Sequence, residues 1–141
     1  MKKISFLSLF VSIFMMSFAQ DTWKVYHNKI EKLITGKPDP VNNVISIKQS
    51  DLNVPGFFLL SYSEEKFQTN WIRYLAVYDD ADNMLIQKKG ESKLKVDNEI
   101  LKEMFLKNAV IKVFTWTLPA NPDLAARIRV RRVHLCTVEL K

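Results

Sequence analysis

The chain is poor in cysteine, and Cys136 is the only one among its 141 residues. An internal disulfide is therefore impossible, which excludes the class of small exported domains that disulfides hold together. The fold must rest on a hydrophobic core, and a chain of this length can bury one. We expect Cys136 either to be buried and inert or to pair with a cysteine of another molecule.

Glycine is also scarce, with three residues in the whole chain, and no glycine-rich loop is present. Such loops let the backbone approach phosphates closely, so the common nucleotide-binding motifs are excluded. The sequence signatures of serine hydrolases and of zinc peptidases are missing as well. The sequence therefore predicts no catalytic residue, no metal site and no cofactor, and we expect a non-catalytic protein.

Residues 1–19 have the pattern of a secretory signal peptide that is cleaved after Ala19. Lys2 and Lys3 form a charged start, and a largely apolar stretch follows. Ser17 and Ala19 place small side chains just before the cleavage point. The apolar stretch is shorter than the roughly 20 residues that a membrane-spanning helix needs, so an uncleaved anchor is the less favoured alternative.

The mature protein is expected to be residues 20–141, folded as a single domain. We predict a bacterial protein exported to the periplasm or the cell exterior, without a transmembrane segment after cleavage. No cysteine follows the cleavage point, so a lipoprotein is not expected. Cleavage also removes two lysines, which lowers the net charge of +6 by two. Such a mildly basic domain is not expected to bind nucleic acid.

Alternation of apolar and polar residues, and nearly continuous runs of apolar, aromatic and β-branched residues, predict roughly seven or eight short strands, and the clearest lie at 57–63, 71–78, 84–89 and 110–117. The predicted fold is mainly β: a single-domain antiparallel β-sandwich of Greek-key or immunoglobulin-like architecture. The cysteine pair typical of immunoglobulin domains is missing, so the prediction concerns architecture only. One helix packed on a single sheet is the alternative.

One short amphipathic helix is predicted near residues 98–107. Asp97 is a suitable N-cap and Glu99 lies in the first turn, where negative charge is favourable. Asn121 followed by Pro122 predicts a second, shorter helical turn. Apolar side chains at helical spacing predict that one face of the first helix packs on the core, through Ile100, Leu101, Met104 and Phe105.

The segment RIRVRRVHLC begins the predicted last strand, 127–140. In a strand, Arg127, Arg129 and Arg131 point to one face, about 6.8 Å apart. Arg132 interrupts the alternation, which predicts a β-bulge near 131–132. The alternative is a central strand that is covered on both faces from Val133 onward.

The row of arginines predicts a site for an anionic ligand. Guanidinium groups form paired hydrogen bonds with phosphate, sulfate or carboxylate groups. We therefore predict that Arg127, Arg129 and Arg131 bind an anionic glycan, a lipid head group or an acidic protein. The alternative is a solvated outer face, on which the guanidiniums cover aromatic rings or pair with neighbouring acids.

His134 and Cys136 are two residues apart, so a regular strand places them on the same face. Together they could supply two metal ligands, or a nucleophile and its base in a small hydrolase. Neither a third ligand nor a residue that orients the histidine is evident. The favoured alternative is a buried cysteine beside a hydrogen-bonded histidine.

Two other groups allow weaker predictions. The acidic turn at 79–83 resembles a calcium ligand set in composition, but it lacks the glycine and the closing glutamate of an EF-hand loop. We interpret it as an ordinary turn. Aromatic side chains allow a carbohydrate-binding module as the main alternative function, although most are expected in the core. The set is Trp23, Tyr26, Trp71, Tyr74, Tyr78 and Trp116.

Overall fold

The computed structural model describes residues 20–66 and 69–141, and the predicted signal peptide, residues 1–19, lies outside them. Within this part of the chain there are nine strands, two helices and a short 3-10 turn at Gln49–Leu52. The strands are β1 (Thr22–His27), β2 (Ile30–Thr35), β3 (Val44–Ile47), β4 (Phe57–Ser63), β5 (Trp71–Asp79), β6 (Met84–Lys89), β7 (Lys93–Asp97), β8 (Val110–Pro119) and β9 (Val133–Leu140). The helices are α1 (Asn98–Lys107) and α2 (Pro122–Ala125).

The strands form two sheets that pack against each other. The four-stranded sheet has the order β2-β1-β4-β7, and the five-stranded sheet has the order β3-β9-β8-β5-β6. Neighbouring strands are antiparallel except β3 and β9, which are parallel. The predicted mainly β, two-sheet architecture is confirmed. The parallel pair departs from the antiparallel prediction, and the Greek-key or immunoglobulin-like topology is not confirmed.

The core lies between the sheets because alternate side chains of both sheets are apolar and point inward. Val25 and Leu60 of one sheet and Leu75 and Val113 of the other are fully buried members of one cluster. Burying a side chain of this size contributes roughly 1.5–3 kcal/mol to stability. This core holds the fold together without a disulfide.

Helix α1 covers the residues predicted for it, but its buried face is narrower. Leu101 is buried, and Met104 and Phe105 pack against the core. Ile100 is 46% exposed, which corrects the prediction that it faces the core. With 3.6 residues per turn it lies about 100° from Leu101 around the helix axis, at the flank of the apolar stripe.

A buried polar network holds the start of α1, where the side chain of Asp97 makes no capping hydrogen bond. The Asn98 Nδ2 group donates to Asn28 Oδ1 at 2.9 Å and to the carbonyl of Val54 at 2.9 Å. Its Oδ1 atom lies 2.9 Å from His27 Nε2, which therefore donates. The network joins the helix to the β1–β2 turn, where Asn28 has a φ of 49°.

The last strand begins at Val133, so the prediction of one strand over 127–140 is wrong. The first part of the predicted strand instead continues from α2, since the N–H groups of Arg127 and Ile128 donate to carbonyls of that helix at 3.1 and 3.3 Å. Strand β8 pairs with β9 only as far as Thr115 opposite Val133. Residues 126–132 therefore lie outside the ladder of β8 and β9.

The predicted β-bulge exists, but it lies at Leu135 rather than near 131–132. Val113 pairs with Cys136 and the next residue, Phe114, pairs with His134, which leaves Leu135 as the extra residue. The indole N–H of Trp23, on the opposite sheet, donates to the Leu135 carbonyl at 3.0 Å. The bulge is thus tied to the facing sheet across the core.

Neither helix in the described residues has the length and apolar character needed to cross a membrane.

Candidate functional site

The predicted arginines lie on the connection between α2 and β9, residues 126–132, which we call the arginine loop. Its entry is fixed by α2, where the Asn121 side chain accepts a hydrogen bond from the Asp123 N–H at 2.9 Å and Pro122 begins the helix. This is the cap predicted from the sequence. Because the loop is not a strand, the evenly spaced row of three arginines does not form.

Arg127, Arg129 and Arg131 are all exposed, but they face two different depressions. Arg129 and Arg131 line an open cleft of about 550 Å³ together with Arg132, and Phe114 forms part of its wall. Arg127 lines a separate groove beside Trp71. The structure therefore brings two of the three predicted residues together and separates the third.

Arg132 anchors the arginine loop to the five-stranded sheet. Its two terminal nitrogens lie 2.9 and 3.1 Å from the two carboxylate oxygens of Asp82. The guanidinium also lies over the Tyr78 and Phe114 rings, 4.5 and 4.7 Å from their centroids. The hydrogen bond to Asp82 raises the pKa of Arg132, so this cation is fixed in its charged form. The sequence prediction missed this role, although it had singled out both Arg132 and the acidic turn.

An aromatic surface lies beneath this loop, on the outer face of the five-stranded sheet. Tyr74 stacks on Trp116 with ring centroids 5.5 Å apart and planes within 4° of parallel. Tyr78 meets Phe114 edge to face at 5.4 Å. Trp116 and Tyr78 are only 8% exposed, so these rings support the loop and offer little surface to a ligand.

Of the six aromatic residues considered for sugar binding, Trp71 stands apart. Its side chain is 40% exposed, whereas Trp23, Tyr78 and Trp116 are buried. Tyr26 and Tyr74 are half-buried. The sequence alone could not distinguish Trp71 from the others, because both faces of its strand are largely apolar.

The exposed arginines of the loop carry charge that no neighbouring acid neutralises. Among the residues that the structure describes, no carboxylate lies within 4.0 Å of the guanidinium of Arg127, Arg129 or Arg131. Arg73 and Arg132, by contrast, are both paired with acids. The loop therefore presents three unpaired guanidiniums, and it ends at Arg132, whose guanidinium is paired with Asp82.

His134 and Cys136 do not share a face, and that part of the sequence prediction is wrong. The bulge at Leu135 turns His134 to the outer face, where its ring lies 5.6 Å from Phe114, and leaves Cys136 in the core. His134 Nε2 lies 2.8 Å from the Thr137 hydroxyl. Burial raises the pKa of the Cys136 thiol and lowers that of His134. Across residues 20–66 and 69–141, no three metal-ligating side chains come together.

A second charged cluster, not predicted from the sequence, lies at one end of the sandwich. Arg73 pairs with Glu64, lies 3.8 Å from Asp21 and donates to the Thr115 hydroxyl at 2.8 Å. Its guanidinium lies 4.2 Å above the Tyr62 ring, and the Tyr62 hydroxyl donates to Asp21 at 2.8 Å. One sign of this cluster was present in the sequence: in β5, Arg73 lies at the same alternate positions as Leu75 and Val77, whose side chains face the core. Every charge in this cluster has a partner, which favours a structural role.

Models of known protein families, curated proteins and solved structures provide no match to this chain. The case for a function rests on its own geometry and charge.

Proposed function

We propose that this chain is an exported, non-catalytic β-domain whose arginine loop binds an anionic ligand. One observation carries the proposal: Arg127, Arg129 and Arg131 are exposed, and no carboxylate of the described residues lies within 4.0 Å of their guanidiniums, on a loop that Arg132 holds in place. Surface cations that serve only solubility need no such anchor. A fixed loop with free guanidiniums is suited to bind a partner that supplies the missing negative charge.

The anchoring of the loop favours binding because it lowers the entropic cost of ordering the site. Arg132 fixes one end of the loop through its two hydrogen bonds to Asp82 and its contacts with two aromatic rings. Helix α2 fixes the other end through its capped start. The three free arginines between these anchors are therefore presented in a restricted arrangement.

The ligand is best explained as a polyanion. A single exposed ion pair contributes only about 0–1 kcal/mol, because water and salt screen it. Several guanidiniums that bind one chain of phosphate, sulfate or carboxylate groups contribute together. A glycan, a lipid surface or an acidic protein can each provide such a set of charges.

Export is supported by the position of the first strand. The predicted cleavage point after Ala19 precedes Thr22, where β1 begins, by only a few residues. Asp21, between them, already takes part in the Arg73 cluster through Tyr62. Cleavage at this point leaves every strand and helix that the structure describes within the mature chain.

The proposal is tested by binding of a sulfated polysaccharide, heparin, across a salt series. Replacing Arg127, Arg129 and Arg131 with glutamine is expected to weaken binding at least about tenfold and to flatten its dependence on salt. A matched control replaces three exposed lysines of the other sheet, Lys24, Lys32 and Lys93, and removes the same charge. Equal losses in both variants would reduce the effect to net charge and refute the site.

A further inference from the structure

A groove lies beside the arginine loop, and of the three free arginines only Arg127 lines it. It has a volume of about 470 Å³ and is lined by Trp71, Pro119, Leu124, Arg127 and Ile128, among others. Trp71 opens β5 opposite Pro119, the last residue of β8. The Ala120 N–H donates to the Asn70 carbonyl at 2.8 Å and fixes this corner. We call it the Trp71 groove.

The Trp71 groove combines exposed apolar side chains with one cation. Leu124 is 50% exposed and Ile128 is 39% exposed, and both line the groove together with Trp71, which is 40% exposed. Arg127 adds a guanidinium that has no carboxylate within 4.0 Å among the described residues. A ligand that fits both features has a flat apolar surface and a negative charge.

We propose that the Trp71 groove binds a uronic acid unit of an acidic polysaccharide. The C–H face of the sugar ring lies against the Trp71 indole, and the sugar carboxylate pairs with the Arg127 guanidinium. Aromatic faces carry partial negative charge and attract the slightly positive C–H groups of such a ring. This inference rests on the proposed anion-binding function, because Arg127 belongs to both.

An acyl chain is a poorer occupant of this groove. Its binding depends on burial of the whole chain, at about 0.8 kcal/mol for each methylene. The Trp71 groove is open, and its aromatic wall is one indole, so it cannot enclose a long chain. A sugar needs contact along one face only and keeps its hydroxyl groups in water.

The arginine loop also gives a reason for a polymeric ligand. Arg127 and Ile128 line the Trp71 groove, and the next residues, from Arg129 to Arg132, line the cleft beside Phe114. A polysaccharide with one carboxylate on each sugar can therefore place one unit on Trp71 and pair further units with Arg129 and Arg131. An isolated sugar acid would gain only the first of these contacts.

Three probes separate ring recognition from charge. Polygalacturonate has both rings and carboxylates, its methyl ester has rings without charge, and poly-glutamate has carboxylates without rings. Wild-type protein is expected to bind polygalacturonate most tightly. Trp71→Ala is expected to weaken that binding about tenfold, since exposed aromatic anchors commonly carry much of a binding energy, while binding of poly-glutamate stays unchanged.

A second variant guards against loss of the fold. Trp71→Phe keeps an apolar ring in β5, and it is expected to keep the thermal transition of the wild type while binding polygalacturonate less tightly. The change in tryptophan fluorescence on binding should disappear in this variant, because Trp23 and Trp116 are buried. Arg127→Gln is expected to weaken binding of polygalacturonate but not of its methyl ester.

The outcomes distinguish this inference from the function on which it rests. Equal affinity for poly-glutamate and polygalacturonate, unaffected by Trp71→Ala, would overturn sugar recognition and leave anion binding intact. Equal affinity for the methyl ester would overturn the need for a carboxylate. Failure of all the acidic polymers and of heparin would overturn the proposed function itself.

Discussion

Arg132 and Asp82 lie 50 residues apart in the chain and meet through two hydrogen bonds of 2.9 and 3.1 Å. Arg132 directly precedes β9, and Asp82 lies in the turn between β5 and β6. Their pairing crosses the aromatic outer face of the five-stranded sheet. It connects the acidic turn to the loop that carries the free arginines.

This pairing predicts that Asp82→Asn loosens the arginine loop. The amide removes the charge of the acceptor, and asparagine tolerates the left-handed backbone at this position, where φ is 66°. We expect trypsin to cleave after the loop arginines faster than in the wild type. The free energy of unfolding should fall by no more than about 1 kcal/mol, because the pair is partly exposed.

The control for that prediction is Asp80→Asn. Asp80 belongs to the same turn and lies 3.4 Å from Lys112, so the variant removes a neighbouring ion pair without touching the loop. Trypsin should cleave this variant at the wild-type rate. Equal cleavage of both variants would mean that Asp82 does not hold the loop.

The sequence predicted the sheets better than it predicted the site, and the reason is physical. The apolar, aromatic and β-branched residues that predicted β4, β5 and β8 include side chains buried in the sandwich, and the structure has these strands where they were expected. Alternation at Arg127–Val130 also suggested a strand, but backbone hydrogen bonds to α2 take this segment out of the sheet. A local pattern does not reveal whether a partner strand is present.

The positions of Arg132 and His134 show a second limit of the sequence. Two adjacent apolar residues, Leu135 and Cys136, were the local sign of the bulge, but the charged pair Arg131–Arg132 attracted the prediction instead. The contact between Arg132 and Asp82 depends on strand order, which alternation does not encode. Exposure of Trp71 likewise depends on where α2 lies.

Gly56 provides a test of the buried network around Asn98. A Cβ atom at this position would lie 2.0 Å from Asn28 Oδ1. Gly56→Ala is therefore expected to lower the free energy of unfolding by about 1–3 kcal/mol, the usual cost of forcing an extra group into a packed site. Urea denaturation measures the change.

A second substitution separates this clash from a general backbone effect. Asn28→Gly removes the atom that the new methyl group would meet, and glycine accepts the positive φ of Asn28. The cost of Gly56→Ala should be smaller in the Asn28→Gly background than in the wild type. Equal costs in both backgrounds would show that Asn28 is not the obstacle.

His134 predicts a loss of stability at mildly acid pH. Burial lowers the pKa of His134, and Lys112 lowers it further, while Asp39 acts in the opposite direction. The unfolded chain therefore takes up a proton near pH 6.5, before the folded chain does. Between the unfolded and folded pKa values the unfolded state holds more protons, so the free energy of unfolding falls as the pH drops below about 6.5.

The comparison that checks this prediction is wild type against His134→Gln, which cannot titrate. Urea denaturation at pH 7.5 and at pH 5.5 should show a larger loss of stability in the wild type than in the variant. Other groups contribute to both proteins alike and cancel in the difference. An identical loss in the two proteins would rule out a contribution from His134.

Cys136 is expected to be chemically silent in the folded protein. It is fully buried, and burial raises the pKa of its thiol, so neither access nor the reactive thiolate is provided. A thiol reagent such as dithionitrobenzoate should label it only as fast as the protein unfolds, and rapidly in urea. The chain should run as a monomer on a non-reducing gel. Fast labelling in native buffer, or a dimer that reductant removes, would contradict the packing of Cys136 between the two sheets.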